Sequence, residues 1–447
     1  MRVEELARKI VRRLRDEGRE AYFVGGCVRD KLLGRPSKDY DVATAAQPGE
    51  ILALFPGSRA VGAAFGVVLV KQDRAEVEVA TFRRDHDYRD GRRPESVTFT
   101  NSAQEDVRRR DFTINGLLYD PLSDDVLDYV GGRQDLERGL IRAIGEPAQR
   151  FAEDKLRMLR AVRFAARLGF RIEPETFEAI RLAAPEIRQI AAERVRDELS
   201  RILTEGGARR GFELLDETGL LEVLLPEVKR LQGVEQPPEF HPEGDVWRHT
   251  LLMLEMLPPD PPVTLALGAL LHDIGKPDTF ERAADRIRFH GHVERGVELA
   301  DEILRRLRYS NDEIEQVKDL VQNHMRFMHV AEMREGKLKR FLRKPQFDEH
   351  LALHRLDCLS SHGDLSSYQF VEGKLAKYSA EQLRPPPLIT GRDLIAAGYA
   401  PGPQFSEMLS AVEEAQLEGT LRSRDEALEW VEARFGAPAA RSPSSGA

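Results

Sequence analysis

The chain has 447 residues, 41% hydrophobic and 32% charged, with a net charge of −9. That length allows two to four domains, apolar runs such as TLALGALL are too short for a membrane span, and Cys27 and Cys358, far apart in sequence, imply no disulfide framework. The charged N-terminus MRVEELARKIVRRLRDEGRE lacks a signal-peptide core, so the reducing cytoplasm is the expected compartment, while the acidic total speaks only weakly against nucleic acid because the arginines are unevenly placed.

The N-terminus reads as an amphipathic helix. Residues 21 to 145 then carry strand signals in AYFVGG, DYDVAT, FGVVLVKQ, AEVEVATF and DVLDYV, with helices expected at about 27–34, at 47–55 and after RRRDFTIN. This predicts an α+β head with one small mixed sheet. From about 146 the pattern turns almost continuously helical. In AEDKLRMLRAVRFAARLGF, Leu156, Leu159, Val162 and Ala166 keep helical spacing. Stretches rich in Pro, Gly and charge at 226–244 and 381–391 read as boundaries. The expected division is a head at 1–145, a neck at 146–230, a histidine-rich body at 231–380, a helical tail at 381–436 and a disordered end at 437–447.

In GGCVRDKLLGRPSKDYDVATAA, residues 25 to 46, two glycines follow an apolar strand and precede a short helix. Backbone amides at such a turn can hold phosphate oxygens, and Arg29 and Lys38 add positive charge. An ordinary turn is the other reading of Gly25 and Gly26 alone. Alternation along a strand turns Asp39 and Asp41 to one side and Tyr40 to the other. Two crowded carboxylates are best tolerated with a divalent cation between them, and Mg²⁺ favours one or two carboxylates plus substrate phosphates. Glu78, with Glu76 on the same strand face, is either a third carboxylate or part of a solvated surface.

On the helix predicted to start near 151, Glu153, Asp154 and Arg157 stand three and four apart, close enough to meet. A carboxylate only accepts hydrogen bonds and a guanidinium only donates. Together they match the edge of a base, or they form a plain surface salt bridge. Arg160, Arg163 and Arg167 follow on the same helix, with Arg194, Arg196 and Arg201 on a later one. Collectively they predict a basic surface for an RNA backbone.

WRHTLLML, LLHDIGKP, FHGHVERG, VQNHMRF and LHRLDCLSSHG bring most of the histidines into the body. His249, His272, Asp273 and Asp357 form a minimal metal-ligand set, and His292 and His324 complete a second position. His290, His354 and His362 are read as bystanders. Imidazole and carboxylate ligands suit a divalent transition metal, and such a metal suits phosphoester hydrolysis.

The segment at 25–46 resembles the first motif of the class II tRNA nucleotidyltransferase and poly(A) polymerase family. RRRDFTINGLLYD (108–120), DYVGGRQDL (128–136) and EDKLR (153–157) are similar to later motifs in the same order, and RDHDYRDGRRP (84–94) resembles the family's flexible loop. The resemblance spans roughly residues 15 to 435 and implies a polymerase-β-like nucleotidyltransferase head, an all-α neck, an HD-type helical body and a helical tail. It implies that Asp39 and Asp41 are catalytic and hold Mg²⁺, that Gly25, Gly26 and Arg29 hold the triphosphate, and that Arg109, Arg110 and Asp111 meet the nucleotide's sugar and phosphates. Asp154 and Arg157 would read CTP or ATP, with Glu153 orienting Arg157 and Arg160 in the same nucleotide-binding set. ITGRDLIAAGYAPGPQFSEML (389–409) resembles a tail segment that holds tRNA.

The His272-Asp273 pair with its flanking ligands resembles the HD phosphohydrolase superfamily, which implies phosphatase or 2′,3′-cyclic phosphodiesterase activity. The expected function is CCA addition to tRNA from CTP and ATP, with no membrane partner and an undetermined oligomeric state. The loop at 84–94 favours complete CCA or terminal A addition over CC alone. The alternatives are A addition or poly(A) synthesis, an HD phosphohydrolase whose head only binds nucleotides, and a noncatalytic RNA-binding protein.

Overall fold

The computed structural model describes residues 2–37, 39–62, 65–86, 96–239, 241–284 and 286–438. Residues 87–94 of the loop expected to matter at 84–94, Lys38 and the end from 439 lie outside the described residues.

Helix α1 (Val3–Asp16) turns Leu6, Ile10, Val11 and Leu14 into the core and its charges to solvent. It is followed by β1 (Ala21–Val24), α2 (Gly26–Leu32), β2 (Asp41–Thr44), α3 (Pro48–Leu54), β3 (Arg59–Gly62), β4 (Val67–Gln72) and β5 (Ala75–Thr81). Next come β6 (Arg83–His86), β7 (Ser96–Phe99), α4 (Ala103–Arg108), β8 (Leu118–Asp120), β9 (Asp125–Leu127) and α5 (Gly132–Arg138). Among the described residues, seven strands form one sheet in the order β3-β4-β5-β2-β1-β8-β9. β2 lies near its middle, antiparallel to β1 and parallel to β5, so the sheet is mixed. Phe23 and Val42 enter the main core on one face, while Tyr22, Val24 and Ala43 join Phe82 and Leu118 on the other. A strand covered on both faces has little freedom to shift.

Two local expectations are corrected. The strand expected across DYDVA begins only at Asp41, so Asp39 and Tyr40 precede it. RRRDFTIN itself ends in a single 3₁₀ turn (Thr113–Asn115), strand β8 follows it, and helix starts only at Gly132. β8 exists because it pairs with β1, Phe23 opposite Tyr119. Gly132 is required by close approach, since a Cβ there would stand 2.2 Å from the Thr113 carbonyl oxygen.

The neck comprises α6 (Pro147–Glu153), α7 (Leu156–Leu168), α8 (Pro174–Ala183) and α9 (Ala192–Thr204). The single helix expected across 153–157 is broken. Asp154 leaves the helical path at φ −142°, ψ 103°, and its Oδ1 accepts the Leu156 N–H at 3.1 Å, as a capping aspartate does. The body is built from further helices, among them Val246–Glu255, Val263–Leu271, His292–Arg306, Asn311–Asn323 and Phe347–Ser360. One apolar core runs from Leu6 in the head to Leu356 in the body, whereas the tail closes a separate cluster around Leu394, Met408 and Val431. The apolar run at 263–271 is a buried core helix, and no described helix is long and apolar enough to cross a membrane.

Candidate active site and a second ligand centre

Asp39 and Asp41 open onto the same cleft, of about 740 Å³, between head and neck. Tyr40 turns the other way and meets Phe23 edge-on, ring centres 5.4 Å apart. β5 places Glu78 in register with Asp41. Glu76, on the same face, is committed to Lys71 at 2.8 Å. Crowding by the cleft walls, and then the charge of Glu78, push the Asp41 carboxyl up to about 6. A donor set of mutually repelling carboxylates facing a cleft is the chemistry a hard divalent cation neutralises, so the residues fit Mg²⁺.

Gly25 sits at φ 76°, ψ −132°, a conformation that favours glycine, and α2 begins at Gly26. Both line the cleft with Arg29. Arg29 is buried, its Nε donating to Asp30 at 2.9 Å and its Nη1 to Asn115 at 2.8 Å. Arg109 and Arg110 share one buried carboxylate, Asp106, at 2.7 and 2.8 Å. Asp111 takes a fork from Arg160 at 2.9 and 2.6 Å. Burial alone would raise the Asp111 carboxyl, but Arg160 and Asn115 outweigh it and hold it at about 2.

Asp154 and Arg157 line the cleft too; Glu153 lies behind it. Glu153 bonds Arg157 Nη1 at 2.8 Å. Arg157 also donates to the carbonyls of Arg150 and Arg109, each at 3.1 Å, so three of its five N–H donors are committed and two remain. The Asp154 side chain meets Arg194 at 3.0 Å rather than Arg157. The expected basic surface at Arg160, Arg163 and Arg167 is also corrected. All three line the cleft, and Arg163 is buried between Glu198 at 2.7 Å and Glu205 at 3.0 Å.

In the body, all six expected ligands converge. His249 Nε2 lies 3.3 Å from His272 Nε2 and 3.2 Å from Asp357. Asp273 stands 3.1 Å from His272 and 3.9 Å from both His292 and His324. Two three-ligand groups result, His249–His272–Asp357 and Asp273–His292–His324. Backbone carbonyls of Ala269, Phe289 and Val321 take the Nδ1–H of His272, His292 and His324, which fixes Nε2 as the free ligand atom. Among the described residues the buried Nε2 atoms of His292 and His324 have no hydrogen-bond partner, which leaves them available to a metal. Burial alone would lower His249, but Asp357 and Glu243 outweigh it and push it up to about 9; metal entry must displace that proton. His290, His354 and His362 line the adjoining cavity, of about 640 Å³, outside both groups.

The chain matches three family profiles: "Poly A polymerase head domain" at 21–142, "Probable RNA and SrmB- binding site of polymerase A" at 169–231 and "HD domain" at 245–361. The A-adding tRNA nucleotidyltransferase of Deinococcus radiodurans is 35% identical over 92% of this chain and 95% of that protein. The chain belongs to the tRNA nucleotidyltransferase family. The CCA-adding enzyme of Geobacillus stearothermophilus is 47% identical over 47% of this chain, an alignment spanning about half (52%) of that relative's length. The CCA-adding enzyme of Bacillus stearothermophilus, solved in complex with CTP, is 28% identical with a TM-score of 0.74, covering 96% of this chain and 97% of the other.

Several residues of the two candidate sites of this tRNA nucleotidyltransferase family member escaped the sequence reading. Asn115 and Phe164 line the cleft. In the body, His241 and Glu243 join His249, and Lys276 bonds Asp273 at 2.7 Å. The available signals were N in RRDFTIN, H and E in HPEGDVWRH, and K in HDIGK.

Proposed function

We propose that this chain adds C, C and A to the 3′ end of tRNA from CTP and ATP without a nucleic-acid template. One observation carries the reading: a single cleft is lined both by the paired aspartates of the head and by the donor–acceptor pair Asp154 and Arg157 of the neck. Asp39 and Asp41 would hold Mg²⁺, which when bound supplies charge neutralisation for displacement at the α-phosphate. Gly25 and Gly26 admit the triphosphate at the turn, and Arg109 and Arg110, which line the same cleft, offer it positive charge. Asp154 accepts and Arg157 donates, so cytosine and adenine edges are matched. Uracil and guanine leave donor against donor or acceptor against acceptor, each mismatch costing about 1–3 kcal/mol. Arg160 holds Asp111 in place behind them. The cytoplasm is the proposed compartment.

The test is product sizing. Labelled tRNA lacking CCA, or ending in C or CC, is incubated with each NTP singly and together. Two C additions followed by one A are expected. Extension of tRNA ending in CC by A alone would replace this reading with terminal A addition, which the near full-length alignment to the Deinococcus relative favours. Long A tails would point to poly(A) synthesis.

We also propose that the body hydrolyses phosphoesters such as 2′,3′-cyclic phosphates at RNA ends. His249, His272, Asp273, His292, His324 and Asp357 would hold divalent transition metal, which when bound supplies Lewis-acid activation of the phosphoester. Backbone carbonyls on Nδ1 of His272, His292 and His324 leave their Nε2 atoms for the metal, and Lys276, buried beside Asp273, sets a cation 2.7 Å from that carboxylate. Replacing His272 and Asp273 together with alanine is expected to remove tightly bound metal and all hydrolysis of cyclic phosphate. Metal analysis of the purified protein checks the first effect and phosphate-ester assay the second. A variant that keeps both would overturn the assignment.

A further inference from the structure

The four body histidines with a proposed ligand role are not held alike. Three give Nδ1 to backbone carbonyls. His249, fully buried, gives its Nδ1 to a carboxylate, Glu243 Oε1, at 2.8 Å. The same oxygen meets His241 Nδ1 at 2.9 Å. The two imidazoles stand edge to face, ring centres 5.1 Å apart. His241 lines the body cavity, and its Nε2 has no bond among the described residues.

Resting on the body's proposed role as a metal-dependent hydrolase, we infer that Glu243 is a positioning residue that fixes His249 for metal ligation and, through the same oxygen, holds His241 against the substrate cavity. An anionic partner on Nδ1 fixes the tautomer, turns the ring and makes Nε2 a stronger donor than a carbonyl partner does. His249 needs this because its Nε2 already faces two competitors, His272 and Asp357. Glu243 lies near the end of the stretch 226–244, which reads as a boundary in sequence yet is fastened on both sides of Glu243. Asp245 Oδ2 accepts the Gly233 N–H at 2.7 Å, and Asp245 Oδ1 accepts the Arg248 N–H at 2.9 Å, capping helix Val246–Glu255. Gln236 accepts from Lys276 at 2.6 Å. The stretch therefore delivers Glu243 to His249 and His241 to the cavity in one turn of chain. His241, Glu243 and His249 also form a possible ligand triplet, but both imidazoles approach one oxygen at hydrogen-bond distance, which leaves no room for an ion between them.

The test uses the full chain and Mn²⁺ or Co²⁺ alone, without nucleotide. Affinity is read by competition with a fluorescent chelator, stoichiometry by metal analysis, and ligand geometry by the visible absorption of Co²⁺. Glu243→Gln, which keeps the volume and removes the charge, is expected to weaken binding about 10- to 100-fold at unchanged stoichiometry and to shift the Co²⁺ spectrum. Glu243→Asp is expected to fall between it and wild type, and carries the test should the glutamine variant melt early. His241→Ala is expected to keep metal affinity within a factor of about two while turnover of a nucleoside 2′,3′-cyclic phosphate falls about tenfold. Wild-type binding matched by Glu243→Gln would overturn this inference alone, as would loss of one metal equivalent, which would make Glu243 itself a ligand. No binding by the wild type would overturn the metal-centre reading and this inference with it.

Discussion

Asp41→Asn and Asp39→Asn are each expected to lower nucleotide addition about a thousandfold while leaving the head folded. The loss follows from removing half of a divalent-cation clamp, whose charge stabilisation of several kcal/mol converts to a factor of ten per 1.36 kcal/mol. Fold retention follows from position: Asp41 opens the strand at its cleft end, while Val42 and Ala43 carry the packing. In the metal-free protein the Asp41 carboxyl, pushed up by crowding and by Glu78 from 3.8 to about 6, holds a proton that the unfolded chain releases. Its contribution to stability is therefore lost as pH rises across that window. The asparagine variant removes that loss, so its melting temperature without metal at pH 7 should match or exceed that of wild type, with the gap closing below pH 4. Labelled-nucleotide incorporation and thermal melts in chelator check the two effects. Near-normal addition by either variant would refute the clamp.

Arg157→Ala is expected to erase most of the preference for CTP and ATP over UTP and GTP. An unpaired polar group at a base edge costs about 1–3 kcal/mol, so discrimination should fall roughly 5- to 150-fold. Stability should fall as well. Arg157 is 8% exposed, and its loss leaves the Arg109 carbonyl without that donor and Glu153 with Arg150 alone. Arg157→Lys separates the effects, since it keeps the charge but not the planar fork. The lysine variant should retain more stability than alanine and still choose poorly. Single-nucleotide incorporation with each NTP, alongside denaturant melts, measures both. Unchanged preference in either variant would defeat the protein-template reading.

Much of the site was legible because its logic is local. The alternation read from DYDVA matches the side chains, with Asp39 and Asp41 on the cleft and Tyr40 turned away, although strand β2 itself starts only at Asp41, and the order of body histidines names six side chains that converge. What stayed hidden depends on residues distant in sequence. EDKLR holds no glycine or proline to announce a break, and the break at Asp154 is accompanied by pairing with Arg194, forty residues later. Arg160, Arg163 and Arg167 read as a basic surface until Asp111, Glu198 and Glu205 arrive from other segments to neutralise them. Strand β8 has three residues, too few to announce themselves, and owes its form to β1. Glu243 sits in a proline- and glycine-rich stretch that has the composition of a linker.

Every cleft-lining arginine has an acidic neighbour among Asp30, Asp106, Asp111, Glu153, Glu198 and Glu205, with Asp106 shared by Arg109 and Arg110. A wall balanced in this way exerts little pull beyond contact range. An approaching polyphosphate is not drawn in from afar, and must share or displace carboxylates once it arrives. On the proposed function, nucleotide loading is thus an exchange of counter-ions at touching distance.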